Sequence, residues 1–145
     1  MLAVSNHAVT INEGDGMAGS SLVATINLIG AKTSVARARQ FTLDLLGDGH
    51  PAVDETVLAV SELVTNSIVH SDSGRQGTVA LSIRGSDDSV RVEVTDAGSS
   101  CTAPYIRNDP DAESGRGLRI VSALAKEWGV THRGTAVTTW CELPF

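Results

Sequence analysis

Aromatic side chains are scarce, at 3% of 145 residues, so the core has to be built from aliphatic residues. Positive charge is also in short supply. With a net charge of -6 and a pI near 5.0, the chain repels a phosphate backbone, which argues against direct DNA or RNA binding. Only two cysteines are present, Cys101 and Cys141. An acidic chain lacking a basic, apolar secretory start keeps such thiols reduced, which predicts a cytoplasmic location. No apolar run approaches the ~20 residues of a bilayer-spanning helix, so no membrane association is expected. Internal repeats and low-complexity tracts are missing too. What remains, 41% apolar and 19% charged, is the composition of one globular domain large enough to fold without metal or disulfide support.

Periodicity divides the chain into alternating strands and helices. Residues 1–20 combine a short apolar-polar stretch, Leu2 to Ile11, with a glycine-rich run at Gly14 to Gly19, read as an N-terminal strand or a flexible segment. Met17 is a second candidate start. The main domain is expected over residues 21–145. Leu22 to Ile29 alternates as a strand, and Val35, Ala38, Phe41, Leu45 and Leu46 predict a helix over about 34–46, closed by Gly47. A second helix runs from Pro51 to about His70, with Asp54 and Glu55 in its first turn. Strands follow over 78–83 and 90–94, joined as a hairpin. Residues 97–114 show no period, a length that suits a lid. A third helix is expected to open at Gly117 and run to Lys126, before a closing hairpin of Trp128 to His132 and Val137 to Leu143.

Three clusters carry chemistry. On the second helix, Val53, Val57, Val60, Val64 and Ile68 form one stripe, while Glu62, Asn66 and His70 share the opposite side. That trio is either a solvated face or, given Leu58, Leu63 and Val69 around it, a cleft wall. In a cleft, Glu62 and Asn66 present two hard oxygen donors one turn apart. Asn66 then suits magnesium, which takes one or two protein oxygens plus substrate phosphates, and Glu62 is left to polarise a hydroxyl. His70 has no second ligand at a metal spacing.

Asp96 ends a strand and leads into Ala97-Gly98. It is either a turn former or an acceptor for an exocyclic amine, with Gly98 allowing close approach of a flat ring. Gly115-Arg116-Gly117-Leu118 stands at a helix start, where free N–H groups and a cation favour an anion. The same glycines also serve as a simple helix entry. No strand immediately precedes them and no Gly-Lys-Ser or Gly-Lys-Thr follows, which excludes a dinucleotide fingerprint and a P-loop.

In this order, Glu62 to His70, Asp96-Ala97-Gly98 and Gly115 to Leu118, separated by a lid-length gap, resemble the GHKL superfamily over about Ala31 to Leu143. Within it the chain is most similar to stand-alone bacterial anti-sigma-factor serine/threonine kinases of actinobacterial type, in Asp109-Pro110-Asp111 and the ending around Trp140. The resemblance implies an α/β two-layer sandwich, a mixed, mainly antiparallel sheet with helices on one face. It further implies ATP and Mg²⁺ as cofactors: Asn66 on the metal, Glu62 as base, Asp96 on the adenine amino group and Gly98 lining the adenine pocket. Gly115, Arg116, Gly117 and Leu118 would cradle phosphates beneath a lid over about 103–114, and Thr138 would add a polar contact from the last strand. Ser100 stands where the family often has a second glycine. The implied partners are an antagonist protein, a sigma factor, or both, with a homodimer through the N-terminal strands. The implied activity is phosphorylation of the antagonist, and the alternative is an inactive module that regulates by binding alone.

Overall fold

The computed structural model describes residues 10–15, 20–70, 77–96 and 113–145. Their elements are β1 (Thr10–Asp15), β2 (Ser20–Ile29), α1 (Thr33–Leu46), α2 (Val53–His70), β3 (Thr78–Gly85), β4 (Ser89–Asp96), α3 (Glu113–Leu124), β5 (Glu127–Arg133) and β6 (Ala136–Pro144). The strands form one six-stranded sheet in the order β1-β2-β3-β4-β6-β5. Every pairing is antiparallel, the limit of the mainly antiparallel sheet expected. The alternation seen in sequence sets which way each strand faces. Ala24, Ile26 and Leu28, then Val79, Leu81 and Ile83, then Val90, Val92 and Val94, and finally Cys141 and Leu143 are buried toward the helices. Leucine, isoleucine and valine fill this interior, as the shortage of aromatics requires.

Helix α2 lies at the centre of the helical layer, against α1, α3, β3, β4 and β6. Its stripe Val60, Val64 and Ile68 is buried, and so are Ala59 and Leu63. Burial therefore extends well beyond one face, because α1 and α3 flank the helix. Thr42, Thr56, Ser61 and Thr65 turn their hydroxyls back onto carbonyls of Ala38, Ala52, Val57 and Ser61, so these polar groups cost little where the helices pack. Gly47 ends α1 at φ 79°, with its N–H on the Leu43 carbonyl, a positive-φ conformation that only glycine adopts readily.

Two boundaries differ most from expectation, and α3 also ends at Leu124 rather than Lys126. Strand β1 extends through Gly14 and Asp15, which pair with Ser21 and Ser20, where the glycine-rich composition reads as a turn. Helix α3 starts at Glu113, one turn before Gly117. A glycine inside a helix costs about 1 kcal/mol, which is why the pair reads as a boundary. Packing of buried Leu118 and Val121 into the core outweighs that cost. Residues 2–9, the glycine-rich run after Asp15 at 16–19, the turn at 71–74, Gly98, Ser100, Cys101 and the lid up to residue 112 lie outside the described residues.

Candidate active site

Glu62 and Asn66 occupy the border of α2 between its exposed and buried sides. Leu58 and Val69, expected to surround them, are solvent-facing at 39% and 57% exposure, while Leu63 points into the core. Asn66 is buried, and its Nδ2 has no hydrogen-bond partner among the described residues. An orphaned amide in a dry interior is destabilising by roughly 1–3 kcal/mol. It is a group awaiting a partner, able to present either its nitrogen or, by a flip, its oxygen.

The start of α3 closes over Glu62. A Cβ on Gly117 would lie 2.8 Å from Glu62 Oε2 and 3.5 Å from Glu62 Cβ. Only glycine lets the helix backbone approach the carboxylate this closely. Gly115, Arg116 and Gly117 are therefore inside the first two turns of α3, not ahead of it. Residues 113–116 still present the four N–H groups that have no intrahelical acceptor, the anion-favouring end of the helix dipole. Leu118 is 1% exposed and holds α3 to the core rather than offering a free surface to a ligand.

Asp96 is the last residue of β4, 4% exposed, on the helix-facing side in line with Val90, Val92 and Val94. Its cross-strand partner in β6 is Val137. Thr138, expected to contact the nucleotide, lies on the opposite face of the sheet. Its hydroxyl is hydrogen-bonded at 2.8 Å to that of Thr95, away from the helix-facing side where Asp96 lies. The strand alternation turns Thr139 inward instead, beside Val94 and one step from Asp96. Thr139 is 1% exposed, and its Oγ1 lacks a partner among the described residues. Sequence reading missed it, although the period-2 pattern of Val137, Cys141 and Leu143 already assigns Thr139 to the inner face.

The helix-to-sheet interior thus holds a buried carboxylate at a strand end and two unpartnered polar groups, Asn66 and Thr139. Beside it, Glu62 sits against a helix start. Among the described residues no three His, Cys, Asp or Glu side chains cluster as a metal-binding group. Magnesium does not require one, since it commonly uses one or two protein oxygens and completes its shell with water and phosphate. Asn66, with one amide oxygen, fits that demand, and Glu62 one turn away remains free for another role.

This architecture is that of a two-layer α/β domain, with buried polar groups between helices and sheet. Comparison of the sequence gives the family: residues 30–140 match the histidine kinase-like ATPase domain, and the chain belongs to that family. An uncharacterized protein of Streptomyces coelicolor is 36% identical over 86 residues, which cover 57% of this chain and 79% of that protein. Family membership implies ATP binding. Among the described residues, no helix is long and apolar enough to cross a membrane.

Proposed function

We propose that the chain is an ATP- and magnesium-dependent serine/threonine protein kinase that acts on an antagonist protein and, by exchange of partners, controls a sigma factor. The observation that carries the catalytic part is the buried, unpartnered amide of Asn66 one turn from Glu62, itself packed against Gly117. In this reading Asp96 accepts a hydrogen bond from the adenine amino group. Thr139 supports that contact from β6, and Gly98 lines the ring. The N-terminal N–H groups of α3, with Gly115, Arg116 and Gly117, would hold phosphate oxygens, and Asn66 would hold the metal through its amide oxygen. Magnesium, when bound, neutralises charge on the phosphates. Glu62 accepts the proton of the attacking Ser or Thr hydroxyl, which is the part a protein must add once positioning and electrostatics are in place.

The partners rest on the resemblance to anti-sigma kinases, as does a homodimer through β1 at the sheet edge. Calorimetric titration with ATP, with and without Mg²⁺, tests the site, and incubation with labelled ATP and candidate antagonists tests the transfer. Magnesium-dependent binding followed by label on the antagonist is the expected result. Binding without transfer would leave a regulator that works by holding nucleotide and partner. No binding would remove the assignment.

A further inference from the structure

The sheet face away from the helices is a low, polar surface built from small residues. Thr25, Ala80, Ser82, Thr95, Ala136 and Thr138 floor it, and most of its polar groups are matched. Thr25 bonds Ser82, Thr95 bonds Thr138, Arg91 Nε donates to Glu93 at 2.8 Å, and Lys126 lies 3.4 Å from Glu142. Arg84 is the exception. It is exposed and makes no hydrogen bond or ion pair with any described residue.

Arg84 also stands directly across from Arg91 in the β3–β4 register. Like charges directly opposed on one face are destabilising unless an anion lies between them. The two line a recess of about 380 Å³ with Ser86, Ser89, Glu93 and Glu142. Both glutamates are engaged, Glu93 by Arg91 and Glu142 by Lys126 and the Ser89 hydroxyl. The unspent capacity of the recess is therefore donor capacity. Beside it, the Arg91 guanidinium stacks 4.1 Å above the Trp140 ring. Trp140 in turn rests on Gly129, where a Cβ would come within 3.0 Å of the indole. Arginine and tryptophan are both among the residue types enriched at energetic centres of protein interfaces, and here they are held together by a cation–π contact.

We propose that this face, centred on Arg84, Arg91 and Trp140, docks an acidic segment of a partner protein, with one carboxylate between the two guanidiniums. A planar carboxylate matches the forked donors of arginine. The overall charge of -6 disfavours a polyphosphate such as nucleic acid, yet a local carboxylate meets the pair directly. The surface is separate from the interior site between helices and sheet, and its occupancy does not depend on the nucleotide reading.

The two tryptophans make the test specific. Trp140 lies on the open face, whereas Trp128, in register with buried Cys141, packs against the core on the other. The full chain is titrated with a hexaglutamate peptide while both indole N–H signals are followed by NMR. The Trp140 signal should shift saturably and the Trp128 signal stay in place. Arg84→Glu should weaken binding about tenfold or more, Arg84→Lys less, and rising salt should weaken it further. ATP affinity should stay at its parent value in both variants. A stationary Trp140 signal, or equal binding by Arg84→Glu, would overturn the proposal. So would inorganic phosphate competing at the peptide's own affinity, which marks a general anion site. Sedimentation showing self-association abolished by Arg84→Glu would assign the face to a second copy instead, and also overturn it.

Discussion

Thr138 and Thr139 are consecutive residues of one strand in opposite situations. Thr138 faces outward, and its hydroxyl is satisfied by Thr95 at 2.8 Å. Thr139 faces the helices, fully buried, and its hydroxyl has no partner. The same chemical group is thus used on one face and left over on the other. A protein interior seldom keeps an orphaned hydroxyl without a reason. Here the inner orphan shares its layer with the unpartnered amide of Asn66 and the buried carboxylate of Asp96. The contrast separates a hydroxyl satisfied within the folded chain from one left without a partner among the described residues.

The inner face breaks first, and most severely, at the reacting group. Glu62→Gln should lower phosphoryl transfer by ~10²–10⁴ while ATP binding stays largely intact. Steady-state rates and calorimetry on the same preparation check both halves. A variant with full activity would take Glu62 out of the mechanism. Asp96→Ala should weaken ATP binding by roughly one to two decades, the loss of a charge-assisted hydrogen bond of ~1.5–3 kcal/mol. Unchanged affinity would discard the adenine assignment.

Thr139→Val sharpens the comparison, because it replaces the unsatisfied hydroxyl with a methyl of the same shape. Removing that desolvated group should raise ligand-free stability by about 1–3 kcal/mol and weaken ATP binding at the same time. Denaturant unfolding with and without ATP would show the two effects with opposite sign. A variant that loses stability without ligand would mean that the hydroxyl already has a use.

Two residues further along the same inner row, Cys141 marks the dry end of the layer. Burial pushes its thiol up from 9.0 to about 12, with the Val92 backbone and Arg91 opposing weakly. The folded chain holds this proton more tightly than the unfolded chain does. Its contribution to stability is therefore complete below pH 9, and is lost at about 1.4 kcal/mol per unit as pH climbs from 9.0 toward 12. Unfolding curves from pH 8 to 11 check the slope, and Cys141→Ala, which should flatten it, identifies the group.

The fold was legible because its core is periodic: valines at every second position for the strands, and an apolar stripe for α2. Glu62, Asn66 and Asp96 could be picked out from residue type and order. Three things were not legible. The glycines at 115 and 117 read as a helix boundary, because local propensity says nothing of the packing that carries α3 back to Glu113. The closeness of Gly117 to Glu62 is a tertiary contact without a local signal. That Thr139 rather than Thr138 faces the helices follows only once strand alternation is applied to each residue. Chemistry-bearing residue types are visible in a sequence, but the face they occupy follows only when the strand register is applied to each residue.

The smallest effect belongs to the outer threonine. Thr138→Val removes one partner of a hydrogen bond that is only part-buried, so water can replace it at Thr95. A loss of about 0.5–1.5 kcal/mol is expected, with ATP affinity equal to that of the parent. Placed beside Thr139→Val, the pair forms a sign test on adjacent atoms: the outer substitution destabilises and spares binding, whereas the inner one stabilises and impairs it. If Thr138→Val also weakened ATP binding, strand β6 would be acting through its backbone rather than through the face each side chain occupies. The contrast between the two threonines would then fail.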